Sequence, residues 1–257
     1  WDTPLANKLA VIDVSTREAP ILAVLPLEGD PLPQYMATGP SDDELVINRL
    51  GYERHLLDYI DLSQFPALRV TQRVETVPQP HTMLRLDDGR LLLATMRGEV
   101  LLLDHGSGEV KHGRNMETSL ATPGLTLTDM ILSPDKETGY LSMFGTDIMA
   151  FELTGDSLKM RSRTIGFGAG QFVHHPAQPR IYRTDFFKNV LQTIDSESLE
   201  LLDEVALGFT PRPIALSTER DLMAVGEWIA GVVHFRRLST GATLPHTIAT
   251  GPYLRDL

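Results

Sequence analysis

The sequence predicts an all-β chain in which one four-stranded antiparallel unit is written about six times. Two observations carry that prediction. The first is recurrence. Short apolar runs that end on one residue and pass into a polar turn close at Asp13 (LAVIDVST), Asp61 (LLDYIDLSQ), Asp104 (EVLLLDHGSG), Glu152 (DIMAFELTGD), Asp195 (VLQTIDSES) and Arg237 (GVVHFRRLSTG), at spacings of 42–48 residues. A period in the low forties with four strands per unit is the mark of a β-propeller blade. The second is what each period lacks. Apolar residues follow strand spacing between Gly, Asp, Ser and Pro punctuation, and no segment of any length has a convincing amphipathic helical pattern.

Each element follows from that grammar. In 210–250 the strands are IALS (214–217), LMAVGE (222–227), VVHFRRL (232–238) and a weaker LPHTIAT (244–250), with TERD, WIAG and STGAT as turns. In 128–166 they are DMILS, YLSMF, DIMAFEL and LKMRSRTI, separated by PDKETG, a second turn and TGDS. ELVINRLGYERHLLDYI (44–60) has mixed apolar spacing and reads as two strands rather than one helix. The acidic, serine-rich stretch in VLQTIDSESLELLDEVAL (190–207) reads as the solvated hairpin between a third and a fourth strand. Asp and Ser stand there because their side chains satisfy nearby backbone groups.

The ends bear on closure. The first anchor lies thirteen residues in, so the first blade begins near its third strand, and TGPYLRDL (250–257) resembles the entry to another first strand, as in TPRPIAL (210–216). This predicts a single domain over 1–257 with about six blades, the terminal one incomplete or shared between the two ends. A ring of seven or eight with blades absent from this chain is the competing count, in which case the chain is an excerpt of a longer one.

Composition sets outer limits. The 257 residues are 42% hydrophobic, enough for a large core. With 34 acidic and 23 basic residues the net charge is −11, which disfavours nucleic acid and anionic membrane surfaces as partners. There is no cysteine, so disulfides and thiolate metal sites are excluded. No apolar run reaches the roughly 20 residues of a membrane-spanning helix. The chain starts at Trp1 without a basic, apolar leader, which predicts either a removed leader or a segment of a longer protein.

RPIALSTERDLMAVGEWIAGVVHFRRLSTGATL (212–244) resembles the unit of bacterial YVTN-type and quinoprotein-like propellers, with a first strand P-x-x-I-A-h-S, a second ending h-h-V and a third h-x-V-h-D-h-x-T-G. RIYRTDFFKNVLQTIDSESLEL and LANKLAVIDVSTREAP fit the same template. The resemblance covers essentially the whole chain. It implies a propeller that serves as an interaction module or ligand binder or, in relatives, a lactonase or redox enzyme, and it implies export to the periplasm or outside the cell.

The candidate site follows from the propeller reading. First strands line a central channel, and the turns between second and third strands share one face with the loops that enter the first strands. Aligned units place Tyr35, His81, Asp129, Gln171, Pro213 and Asp256 at equivalent first-strand positions. The second-to-third-strand segments add Asn48, Arg49, Arg97, Asp185, Lys188, Glu227 and Trp228, with Phe186 beside them. Polar groups of both signs with aromatics suit a small polar ligand or the protruding loop of a partner protein. The alternative is a channel whose polar residues only hold water. No catalytic residue, cofactor or metal is assigned. GFGAG (166–170) lacks the Lys-Ser/Thr and the helix of a phosphate loop, no G-x-S-x-G elbow occurs, and neighbouring strand residues such as His174 and His175 face opposite ways. His81, Asp129 and Glu227 are the residues a metal-assisted hydrolase or lactonase would use, and a sensory or structural domain of a larger protein is the third reading.

Overall fold

The structure, a computed structural model, describes residues 8–13, 15, 20–27, 32–38, 43–50, 54–96, 99–107, 110–115, 127–143, 147–164 and 170–250. Every regular element among them is a strand. The strands form five four-stranded sheets and one two-stranded sheet, all antiparallel, with neighbours in sheet order also neighbours in sequence. The chain divides into two compact units, Trp1–Asn115 and Met116–Leu257.

The first unit opens with β1 (Lys8–Ile12) paired to β2 (Ile21–Pro26). Then come β3 (Leu32–Thr38), β4 (Glu44–Leu50), β5 (His55–Asp61) and β6 (Arg69–Glu75) as one sheet, and β7 (Pro80–Arg85), β8 (Leu91–Thr95), β9 (Glu99–Leu103) and β10 (Val110–Asn115) as the next. Residues 44–60 are two strands, as their sequence predicts. Successive side chains of a strand point to opposite faces, and β4 uses both. Leu45 and Ile47 join Leu9, Leu27 and Ile60 in one core, while Val46 joins Leu57, Tyr59, Met83, Leu91 and Leu93 in another. A sheet packed on both faces needs apolar residues at consecutive positions, and every residue of β8 (LLLAT) is buried. The outermost strand β6 (RVTQRVE) alternates and is mostly exposed, as a charged edge strand should be.

The second unit repeats the plan three times: β11 (Leu127–Leu132), β12 (Thr138–Met143), β13 (Asp147–Thr154) and β14 (Ser157–Thr164); β15 (Phe172–His174), β16 (Arg180–Asp185), β17 (Val190–Asp195) and β18 (Leu201–Ala206); β19 (Pro211–Ser217), β20 (Leu222–Glu227), β21 (Val232–Arg237) and β22 (Thr243–Ala249). Here β16 is the shared wall. Ile181 packs with Tyr140, Ile148, Phe172 and Ile194, and Tyr182 packs with Leu191, Ile214, Met223 and Val225.

The anchor aspartates cap the turn that joins third to fourth strands. Asp13 Oδ1 accepts from the Ser15 amide at 2.8 Å and Asp61 Oδ1 from the Ser63 amide at 2.9 Å. Asp195 Oδ1 accepts from the Glu197 and Ser198 amides at 3.0 and 2.8 Å. These bonds favour the anion. The Ser15 and Ser63 side chains hold Asp13 and Asp61 below the ordinary carboxylate value, and the Ser198 amide does the same for Asp195.

Candidate functional site

Four of the five first strands share a distortion. The register of β3, β7, β11 and β19 slips near its start, between Pro33 and Tyr35, Pro80 and Thr82, Leu127 and Asp129, and Pro211 and Ile214, while β15 pairs without a slip. Such a bulge leaves an extra residue unpaired and bends the strand. Beyond it Tyr35 faces Asn48, Thr82 faces Ala94 and Asp129 faces Ser142. Thr82 therefore occupies the position of Tyr35 and Asp129, and His81 is the bulged residue, one place off the alignment that its sequence invites.

Side chains of the inner strands bond backbone at the start of the first strands, in their own sheet and in the next. Asn48 accepts from the Tyr35 amide at 2.8 Å and donates from Nδ2 to the His81 carbonyl at 2.9 Å. The Thr184 hydroxyl accepts from the Gln171 amide at 3.1 Å and donates to the Arg212 carbonyl at 2.7 Å. Asp129 accepts from the Met130 and Phe172 amides at 2.9 and 2.8 Å. Three side chains on inner strands thus tie one sheet to the next.

The remaining predicted residues fall as follows. Tyr35 and His81 lie ring to ring, centroids 5.1 Å apart. Arg49 is inside β4 with 0% exposure. Its Nη1 is 2.9 Å from Asp58 Oδ2, its Nη2 donates to the Leu27 carbonyl, and Arg73 Nε closes on Asp58 Oδ1 at 2.6 Å. Asp185 is buried at the end of β16, and its Oδ1 accepts from the Phe187 and Lys188 amides at 3.0 Å each. Its Oδ2 and the Oε1 of nearly buried Gln171 are enclosed without a hydrogen-bond partner. Glu227 Oε1 meets His234 Nε2 at 2.9 Å, and Arg212 lies 5.5 Å over the Trp228 ring. Arg97 and Asp256 lie outside the described residues. Among the described residues no group of three or more His, Asp or Glu side chains could hold a metal ion. His174 and His175 diverge: the first lies against the Tyr140 ring, and the second accepts the Ala177 amide at Nδ1. Burial holds His175 and His55 below the ordinary imidazole value.

In the second unit three turns meet at one end of the sheets β15–β18 and β19–β22. They are 186–189, 207–210 and 228–231. The Thr210 amide donates to Asn189 Oδ1 at 2.7 Å, the Thr210 carbonyl accepts from the Trp228 amide at 2.9 Å, and its hydroxyl accepts from the Ile229 amide at 3.3 Å. Asn189 and Thr210 both hold positive φ, 57° and 54°. For a β-branched residue that is a rare, costly conformation, of the kind that collects at functional sites. The same turns lift apolar side chains into solvent. Phe209 is 62% exposed, Ile229 45% and Phe187 42%, with the half-buried rings of Trp228 and Phe186 beside them, the latter 3.9 Å from Phe187. Phe186, Lys188, Glu227 and Trp228 are predicted members of this end. Phe187, Phe209 and Ile229 are not, though each is an apolar residue inside a turn, which is the available signal.

No protein-family model matches the chain, and no curated protein matches it. Among solved structures 1447 chains match. One is the crystal structure of a Bacteroides fragilis protein described as a "putative 6-phosphogluconolactonase". It aligns with a TM-score of 0.62 at 16% identity over 78% of this chain. The present chain spans 65% of the length of that structure. At such identity the match speaks to fold alone. Together with the repeated four-stranded antiparallel sheets, it makes the chain an all-β protein of the β-propeller fold.

Proposed function

We propose that the chain is a binding propeller of the YVTN-like kind that docks a protein partner through the end of the second unit carrying Phe187, Phe209, Trp228 and Ile229. The observation that supports this most is Thr210. A strained β-branched residue spends its amide, carbonyl and hydroxyl on fixing three turns together, and those turns present large apolar side chains to water. Exposed apolar groups on a rigid support are what an interface anchor requires, because little side-chain or loop entropy is lost on binding. Aromatic residues dominate such anchors. The inner-strand polar residues support the same reading from the other side. Asn48, Asp129 and Thr184 are occupied by backbone groups, and Arg49 by Asp58.

The test is capture of partners from an extract of the source cells by immobilised wild-type chain and by Phe209→Ser/Ile229→Ser. Both substitutions are on exposed positions, so melting should be unchanged, while a specific partner should bind about 30-fold more weakly, the loss of one hot spot of roughly 2 kcal/mol. Retention of every captured protein by the double variant would remove this surface from the proposal.

A further inference from the structure

Away from those turns, the sheets β15–β18 and β19–β22 enclose a cleft of about 320 Å³. Its lining includes Arg180 from β16 and the consecutive Arg236 and Arg237 of β21, with Asp203 on β18 as the acid among the lining residues. Three arginines line the cleft against one lining carboxylate, with the Asp221 carboxylate next to Arg237 and bonded to the lining Ser239, in a chain of net charge −11. Arg180, Arg236 and Arg237 take part in no salt bridge among the described residues, and the Arg236 Nε is enclosed without a hydrogen-bond partner. Tyr182 points its ring into the core beside Leu191 and Met223 and is only 6% exposed. Tyr182 also lines the cleft, and its hydroxyl makes no hydrogen bond to the described residues.

A buried donor without an acceptor is costly, and the Arg236 Nε is one, while Arg180 and Arg237 stand exposed at the cleft. Guanidinium and phenol groups in the lining of one cavity are donors of the kind an oxyanion head satisfies, with Arg supplying paired, charge-assisted bonds. Behind them Leu191, Val205 and Met223 offer a hydrocarbon surface. Asp203 disfavours a second negative end. The volume is at the small end of the range for ligand sites. We propose that this cleft binds a small organic oxyanion, a single carboxylate or phosphate head on a short apolar body, at a site that shares no residue with the docking turns.

Titration calorimetry of the full chain tests it, with hexanoate, phenyl phosphate, inorganic phosphate and neutral hexanol at constant ionic strength. The expected result is saturable binding of hexanoate or phenyl phosphate and none of hexanol, and the two organic anions separate a carboxylate from a phosphate preference. Arg236→Gln should weaken binding about tenfold, and Tyr182→Phe by several-fold while leaving the ring packing in place. Should Arg236→Gln fail to fold, Tyr182→Phe carries the comparison alone. Absence of saturable binding by both organic anions overturns the proposal. So does binding that is equal in wild type and in folded variants, or that is confined to inorganic phosphate and indifferent to Tyr182→Phe.

Discussion

Arg49 and Asp58 are the clearest case of a pair whose partners must be kept together. Both are fully buried, and Arg73 and the Leu27 carbonyl complete their bonding. Removing one partner strands the other charge in a poor solvent. Asp58→Asn or Arg49→Ala should therefore cost the first unit about 3–5 kcal/mol, read as a shift of the urea midpoint; a loss near zero would show that water reaches the pair. Gly170 is a second such residue. A methyl group there would collide with the Thr184 carbonyl, which is backbone and cannot step aside, so Gly170→Ala should lower the melting temperature of the second unit. Neither role is legible in the sequence. Arg49 reads as a polar residue at the mouth because one residue of strand register decides whether it points to water or core, and Asp58, its mate, is masked within an apolar run.

At the scale of the element, the hairpins and bulges carry the argument. The 3–4 hairpins were legible: Asp with Ser two or three residues on writes the cap, and Asp13, Asp61 and Asp195 make the expected bonds. Because these caps hold their carboxylates below the ordinary value, the folded state favours the anions. Their contribution is complete above about pH 5 and fades as acid titrates the folded form. His55 and His175, held below the ordinary imidazole value by burial, act with the same sign at higher pH, since below about 6.5 the unfolded chain takes up protons first. Unfolding midpoints should thus fall gently from pH 7 to 5 and steeply below 4, and a rise on acidification would contradict both assignments. The bulges were not legible, because an inserted residue leaves the apolar pattern on each side intact. That is why His81 aligns with Tyr35 by eye while Thr82 does so in space. Thr184→Val, which removes the hydroxyl between the Gln171 amide and the Arg212 carbonyl at equal volume, should cost about 1–3 kcal/mol.

For the whole molecule, periodicity announced the fold, since repeated strand grammar is set by the sequence of each unit in turn. The surface was harder to read. Apolar residues inside turns look like stray members of the adjoining strands, and only the register shows Phe209 and Ile229 reaching water. Their exposure leads to a measurable expectation: wild-type chain should bind the dye ANS in the native state, and Phe209→Ser/Ile229→Ser should reduce that signal at unchanged melting temperature. If the dye signal is the same in both, those side chains are not the accessible apolar surface. The ties between adjacent sheets have a further bearing. An amide and a hydroxyl on second strands each donate to a carbonyl of the next sheet, and a carboxylate on a first strand accepts from an amide of the next. Near-identical copies could in principle trade places, yet an acceptor-only carboxylate set opposite a carbonyl, or a small hydroxyl where a longer amide must span, has nothing to hold. Polar chemistry at the seams therefore works as an address, making each copy welcome beside one neighbour and awkward beside the rest.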